Sequence, residues 1–150
     1  MTRFLARRFP WPHPRWLAVL LTVAGVSHFV TPDPYRRIVP RGLGDPGAWV
    51  VASGAAELVG AALLVKPATR RIGGWFTAAL LVALFPANVQ MALDGGLAGR
   101  GFPLGSGVVA WLRLPLQVPL VMWALSVARR ERGRDDPRRS APGSAATSSR

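Results

Sequence analysis

Four long apolar stretches alternate with short polar segments along this chain. They cover residues 16–30, 48–65, 72–93 and 105–127. A helix needs about 20 predominantly apolar residues to cross a bilayer, and three of the stretches approach or exceed that length. The pattern predicts an all-α integral membrane protein with four spans.

The first stretch is short for a span, so it must borrow from its flanks, thin the bilayer or pack obliquely. Arginines precede it and small residues follow near positions 24–27, a pattern that a cleaved signal peptide also shows. Prolines at positions 10, 12 and 14 interrupt that pattern. We therefore interpret the stretch as a span.

Two charged residues interrupt the apolar stretches. Glu57 and Arg113 each lie about 12–13 Å below the outer start of their span, at a rise of 1.5 Å per residue. A charge near mid-bilayer costs about 2.5–3.5 kcal/mol, so it usually faces a partner, a cavity or a ligand. With other polar residues toward the same side, these predict one polar cluster in the outer half of the membrane: His28, Glu57, Asn88, Arg113 and Gln117.

Two roles for this cluster remain open at the level of the sequence. Direct pairing of Glu57 with Arg113 would lower the desolvation cost and fix the helix register. The same groups would also suit the binding of a polar headgroup or the movement of a proton. The cluster offers one Glu, one His and no second carboxylate, and the chain has no cysteine, so we expect no metal site.

Smaller signals concern helix packing. Ala52, Ala56 and Gly60 recur every fourth residue, which favours close helix approach. Prolines at positions 86, 115 and 119 predict bends, and Arg113 or Gln117 is placed to satisfy the backbone carbonyls that Pro115 and Pro119 leave free.

The charge distribution sets the expected topology. The formal net charge is +12, and fourteen of the nineteen Lys and Arg residues fall on one side of the predicted spans. The positive-inside rule places both termini in the cytoplasm. Because the arginines flank apolar segments, we expect contacts with anionic membrane lipids and no nucleic acid. We divide the chain into a basic, proline-containing arm (1–15), a membrane domain (16–130) and a disordered basic tail (131–150).

Four blocks of sequence, in order, resemble the DoxX-like family of small four-span bacterial membrane proteins. The resemblance covers about residues 24–123 and implies an up-down four-helix bundle in the bacterial plasma membrane. The blocks are AGVSHFVTPDPYRRIVP, SGAAELVGAALLVKPATRRIGGW, FPANVQMAL and WLRLPLQ. The positions of the family pattern are His28, Phe29, Pro40, Gly54, Glu57, Pro86, Asn88, Arg113, Pro115 and Gln117.

This resemblance implies an accessory subunit of a membrane redox system rather than a stand-alone enzyme. The chain carries no cofactor motif of its own, and its pocket would serve a quinone or a lipid headgroup for a partner oxidoreductase. In this hypothesis Glu57 accepts a proton or a hydrogen bond, Arg113 binds an anionic or carbonyl oxygen, and His28 with Asn88 lines the mouth.

Two other functions stay open. In the first, the protein is a structural or assembly component in which Glu57 and Arg113 only set helix register. In the second, it transports a small solute or protons, which is disfavoured because a four-span unit lacks the inverted halves common in transporters. Oligomerisation would be needed to supply them.

Overall fold

The computed structural model describes residues 11–97, 99–103 and 105–134. For residues 131–134 it describes the backbone alone. The described part of the chain forms helices and no β-strands. The all-α prediction is confirmed. The helices are α1 (Pro14–Val30), α2 (Pro32–Arg37), α3 (Pro46–Val65), a 3₁₀ turn (Pro67–Thr69), α4 (Arg70–Ala83), α5 (Phe85–Leu93) and α6 (Gly107–Arg134).

Within the described residues, three helical segments are long and apolar enough to cross a membrane: Pro46–Val65, Pro67–Leu93 and Gly107–Arg130. Helix α1 is apolar too, but its 17 residues make it the short one that the sequence predicted. Large apolar side chains cover the outer faces, with Trp16 65% and Ile72 63% exposed. Such a surface suits lipid rather than water, and these features are those of a multi-pass membrane protein.

The helices pack in a definite order. Helix α3 packs against α1, α2 and α4, whereas α6 packs mainly against α4 and α5. A shared core of Leu17, Leu21, Leu64 and Trp123 joins α1, α3 and α6 at one end. Helices α1 and α6 otherwise touch little, which leaves a gap between them.

Helices α1 and α3 approach each other closely. A Cβ atom added to Gly54 would come within 2.8 Å of the His28 Cβ, and one added to Gly25 within 2.9 Å of the Gly54 carbonyl oxygen. Real Cβ atoms do not approach other atoms this closely. Glycine at both positions therefore allows the two backbones to meet, and this meeting sets the distance between their side chains.

The predicted series of small residues divides between two roles. Gly60 lies at a helix contact, where an added Cβ would be 3.3 Å from both the Leu21 side chain and the Thr77 hydroxyl. Ala52 and Ala56 line a cavity instead. A spacing of four residues identifies a common face, but the neighbouring helix decides which positions it touches.

Proline effects differ between the predicted spans. The predicted span 72–93 is interrupted at Leu84, between α4 and α5, next to Pro86, and this bend is confirmed. Helix α6 continues through Pro115 and Pro119. The Gln117 side chain does not repair α6 as expected, because its amide donates to the Leu81 carbonyl beside the break in the neighbouring helix.

Side chains close both ends of α3. Asp45 accepts hydrogen bonds from the amides of Gly47 at 2.9 Å and Ala48 at 3.2 Å, a typical N-cap. At the other end the buried Arg70 donates to the carbonyls of Leu64 at 3.0 Å and Val65 at 3.1 Å. The bond from Arg70 to the Leu64 carbonyl is buried, so it satisfies a backbone acceptor away from water.

The chain ends partly lie outside the described residues. Residues 1–10 of the predicted arm and 135–150 of the predicted tail are among them, so disorder of the tail stays a prediction for those positions. The backbone of α6 is helical to Arg134, four residues into the predicted tail. The domain boundary at residue 130 stays a prediction.

Candidate functional site

The five predicted site residues form two groups rather than one cluster. His28 and Glu57 meet where α1 crosses α3. Asn88 and Gln117 are hydrogen-bonded between α5 and α6, and Arg113 lines the same cavity as these two. Each group has its own geometry.

His28 joins the first group through a single ring nitrogen. Its Nδ1 lies 2.9 Å from the Ala24 carbonyl oxygen and 3.3 Å from Oε2 of Glu57. Both side chains are deeply buried, at 11% and 8% exposure. Because a carbonyl can only accept, the bond to Ala24 requires that Nδ1 carry a hydrogen. Oε2 of Glu57 makes no hydrogen bond within the described part of the chain.

The predicted pair between Glu57 and Arg113 is not formed. Glu57 faces His28, and Arg113 has no ion-pair partner among the described residues. The physical reason is the packing order, since α3 lies against α1 and α4 while α6 lies against α4 and α5. Equal depth in the membrane does not make two helices neighbours.

Tyr35 completes the surroundings of His28. The two rings are stacked, with centroids 4.0 Å apart and planes inclined by 20°. The Tyr35 hydroxyl lies 2.6 Å from the Ser27 hydroxyl, so one donates to the other. Sequence reasoning missed both residues. Tyr35 is the one tyrosine of the chain, and its place just after the first span was a signal that could have found it.

Two amides organise the second group. Nδ2 of Asn88 donates to Oε1 of Gln117 at 3.0 Å, and Nε2 of Gln117 donates to the Leu81 carbonyl. These bonds orient both amides across three helices. Oδ1 of Asn88 and the Arg113 guanidinium have no protein partner in the described residues, so an acceptor and several donors remain for another molecule.

The second group heads a cavity of about 780 Å³ between α1 and α6, here called the α1–α6 cavity. Arg100 also lines the α1–α6 cavity and donates a hydrogen bond to the Thr31 hydroxyl. It was not among the predicted site residues. The other walls of the cavity are mostly apolar and extend to a tryptophan on each helix: Val19, Leu20, Val23, Leu116, Leu120, Trp16 and Trp123. The cavity is thus polar at one end and apolar along its length.

A second cavity, of about 530 Å³, lies between α3 and the break that separates α4 from α5. We call it the His28 cavity. His28, Tyr35 and Ser53 supply its polar groups. Its remaining walls are apolar, and Trp49 at its edge is held by an indole hydrogen bond of 2.6 Å to the Leu43 carbonyl.

A family model described as a domain of unknown function, DUF8561, matches residues 17–128. The chain belongs to the DUF8561 family. No curated protein and no solved structure matches it. The DUF8561 match extends from α1 through most of α6, so both residue groups and all the cavity-lining residues named above except Trp16 lie inside it. The likeness to the DoxX-like family stays a prediction.

The two residue groups indicate which ligand atoms this chain can bind. Arg113 and Arg100 offer cationic donors that suit an anionic or carbonyl oxygen. His28 and Glu57 offer a nitrogen and a carboxyl group at the wall of an apolar space. Neither group contains a nucleophile activated by an adjacent base in the manner of a hydrolase. Both arrangements are suited to binding.

Proposed function

We propose that this protein is a membrane-embedded accessory subunit that binds an amphipathic molecule, a quinone or a lipid, in the α1–α6 cavity on behalf of a partner oxidoreductase. The observation that carries the proposal is the shape of that cavity. It has Asn88, Arg113 and Gln117 at one end and an apolar lining toward Trp16. Ligand sites are typically apolar with a few convergent polar groups, and its volume lies within their usual range.

The Arg113 guanidinium is the main anchor in this proposal. Its lack of a protein partner among the described residues leaves its donors for a headgroup oxygen. An uncompensated arginine in a membrane interior is costly, so a bound anionic or carbonyl oxygen would stabilise the fold as well. The Asn88–Gln117 pair, held at 3.0 Å, would orient the ligand.

The redox partner and the setting rest on the resemblance to the DoxX-like family. From it we propose an up-down four-helix bundle in a bacterial plasma membrane, with α1 as the short fourth span. The positive-inside rule supports cytoplasmic termini. Reporter fusions after residues 40, 68 and 98 test this topology, with outside, inside and outside expected in turn. An inside signal at residue 40 would contradict it.

Mass spectrometry of co-purified lipids tests the ligand. The full chain is purified in mild detergent as wild type, Arg113→Gln and Arg41→Gln, the last being an exposed loop arginine that serves as matched control. We expect a defined quinone or lipid with wild type and Arg41→Gln, and its loss from Arg113→Gln with helix content retained. An identical lipid profile in all three samples would refute binding at Arg113.

A structural role is the second candidate, and the His28–Glu57 contact favours it. That contact joins α1 to α3 beside the Gly25–Gly54 crossing. If Glu57→Gln lowers stability without altering bound lipid, and Arg113→Gln leaves the lipid unchanged too, assembly of the helices is the better account. Subunit capture in the native membrane would then identify what the bundle supports.

A further inference from the structure

Apart from Tyr35, which lines both, the His28 cavity and the α1–α6 cavity have different lining residues, and the function proposed above does not use the His28 cavity. Ala52 and Ala56 of α3 face Leu80 and Leu84 of the opposite wall. His28 reaches it from α1. A space of about 530 Å³ is large enough for a small organic molecule.

The His28 ring meets this space in a defined hydrogen-bonding state. Nδ1 carries the hydrogen because it bonds the Ala24 carbonyl at 2.9 Å. In a neutral imidazole the other nitrogen, Nε2, is then an acceptor. Nε2 has no partner in the described part of the chain, and the ring is 11% exposed. The cavity wall therefore holds a free acceptor that needs an O–H or N–H donor.

The rest of the lining specifies the body of the ligand. Tyr35 stacks on His28 and lines the cavity, and the Trp49 indole is fixed by its bond to the Leu43 carbonyl. Aromatic side chains pack well against aromatic rings in offset or edge-to-face geometry. The lining carries no Lys, Arg, Asp or Glu side chain, so a charged ligand has no counter-ion there.

We propose that the His28 cavity binds an uncharged, membrane-soluble phenol, whose hydroxyl group donates a hydrogen bond to Nε2 of His28. The Ala24 carbonyl, bonded to Nδ1, fixes the tautomer in which Nε2 accepts. Ser53, on the same wall, adds a hydroxyl near the polar end. The phenol ring lies among Tyr35, Trp49 and the apolar wall.

Isothermal titration of two matched probes into nanodiscs carrying the full chain tests this proposal. The probes are 4-hexylphenol and its methyl ether, 4-hexylanisole, which has the same ring and tail but no O–H. Empty nanodiscs correct for partition into lipid. We expect saturable 1:1 binding of the phenol and about tenfold weaker binding of the ether, the effect of one buried hydrogen bond. Equal affinities in the wild type would overturn the proposal without any variant.

Variants locate the site. His28→Phe should weaken binding of the phenol by about tenfold and leave the affinity for the ether unchanged. Ala52 is exposed, so the fold should tolerate Ala52→Phe. Because the larger side chain narrows the His28 cavity, binding of both probes should be lost. Leu116→Phe narrows the α1–α6 cavity from an exposed position on α6 and should change neither. Retained binding of the phenol in Ala52→Phe, or its loss in Leu116→Phe, would place the site elsewhere and refute the assignment.

Discussion

The imidazole of His28 lies 3.3 Å from the carboxyl group of Glu57, and this contact joins α1 to α3 inside the apolar part of the fold. It occurs because Gly25 and Gly54 let the two backbones approach until a Cβ would no longer fit. The two glycines thus place the buried Glu57 next to His28.

The contact predicts energetic coupling between His28 and Glu57. His28→Leu should lower the unfolding free energy by about 1–3 kcal/mol, because the buried Glu57 carboxyl group loses its polar neighbour. Glu57→Leu should cost less, because His28 keeps its bond to the Ala24 carbonyl. The double variant should fall short of the sum by about 0.5–3 kcal/mol. Unfolding by denaturing detergent, followed by circular dichroism, measures all three.

Arg113 supplies the control for that cycle. Because Arg113 does not contact Glu57, the Arg113→Leu and Glu57→Leu effects should add within about 0.5 kcal/mol. Stronger coupling of Glu57 to Arg113 than to His28 would show that α3 and α6 meet in the membrane, contrary to the packing described above.

The glycine crossing predicts a large penalty at Gly54. Gly54→Leu should lower the unfolding free energy by at least about 1–3 kcal/mol. Even an added Cβ atom would come within 2.8 Å of the His28 Cβ, so the helices must separate. The next residue, Ala55, is exposed, so Ala55→Leu is the matched control with a change within about 0.5 kcal/mol. Thermal unfolding in detergent compares the two. Equal tolerance would mean that α1 and α3 are further apart.

Arg70 predicts a stability effect that its neighbour lacks. Arg70→Met removes the donors to the Leu64 and Val65 carbonyls and should cost about 1–3 kcal/mol, the penalty for buried acceptors left unsatisfied. Arg71 is exposed, so Arg71→Met should be nearly neutral although it removes the same charge. The same unfolding assay separates capping from charge: similar losses in both variants would assign the effect to charge.

Gln117 predicts a polar link between helices. Gln117→Leu loses the bonds to Asn88 and to the Leu81 carbonyl. Hydrogen bonds within membrane proteins contribute about 1 kcal/mol or less each, so the unfolding free energy should fall by about 1–2 kcal/mol. Gln90 bonds only Asp94 at an exposed position, and Gln90→Leu is the control. Hydrogen exchange should also rise around Leu84, where α4 and α5 meet. Unchanged exchange there would show that the break needs no side-chain support.

Several features could be predicted because they depend on local sequence. Apolar length predicted the helices that can span a membrane, and Pro86 predicted the break between α4 and α5. All five candidate site residues line or adjoin the two cavities, because polar groups in apolar helices avoid lipid. Tyr35 and Arg100 were missed, since each acts through a loop or short helix whose path no periodicity describes.

The grouping of these residues was decided by tertiary structure alone. Depth along a helix follows from 1.5 Å per residue and can be counted from the sequence, which is why Glu57 and Arg113 were matched. Which helix stands beside which, and at what rotation, depends on where backbones can approach, and Gly25 and Gly54 bring α3 to α1. The sequence by itself therefore determined an all-helical membrane chain with buried polar groups. Helix packing places Glu57 against His28 and places Arg113 at a cavity. The one predicted cluster is therefore two separate groups in the structure.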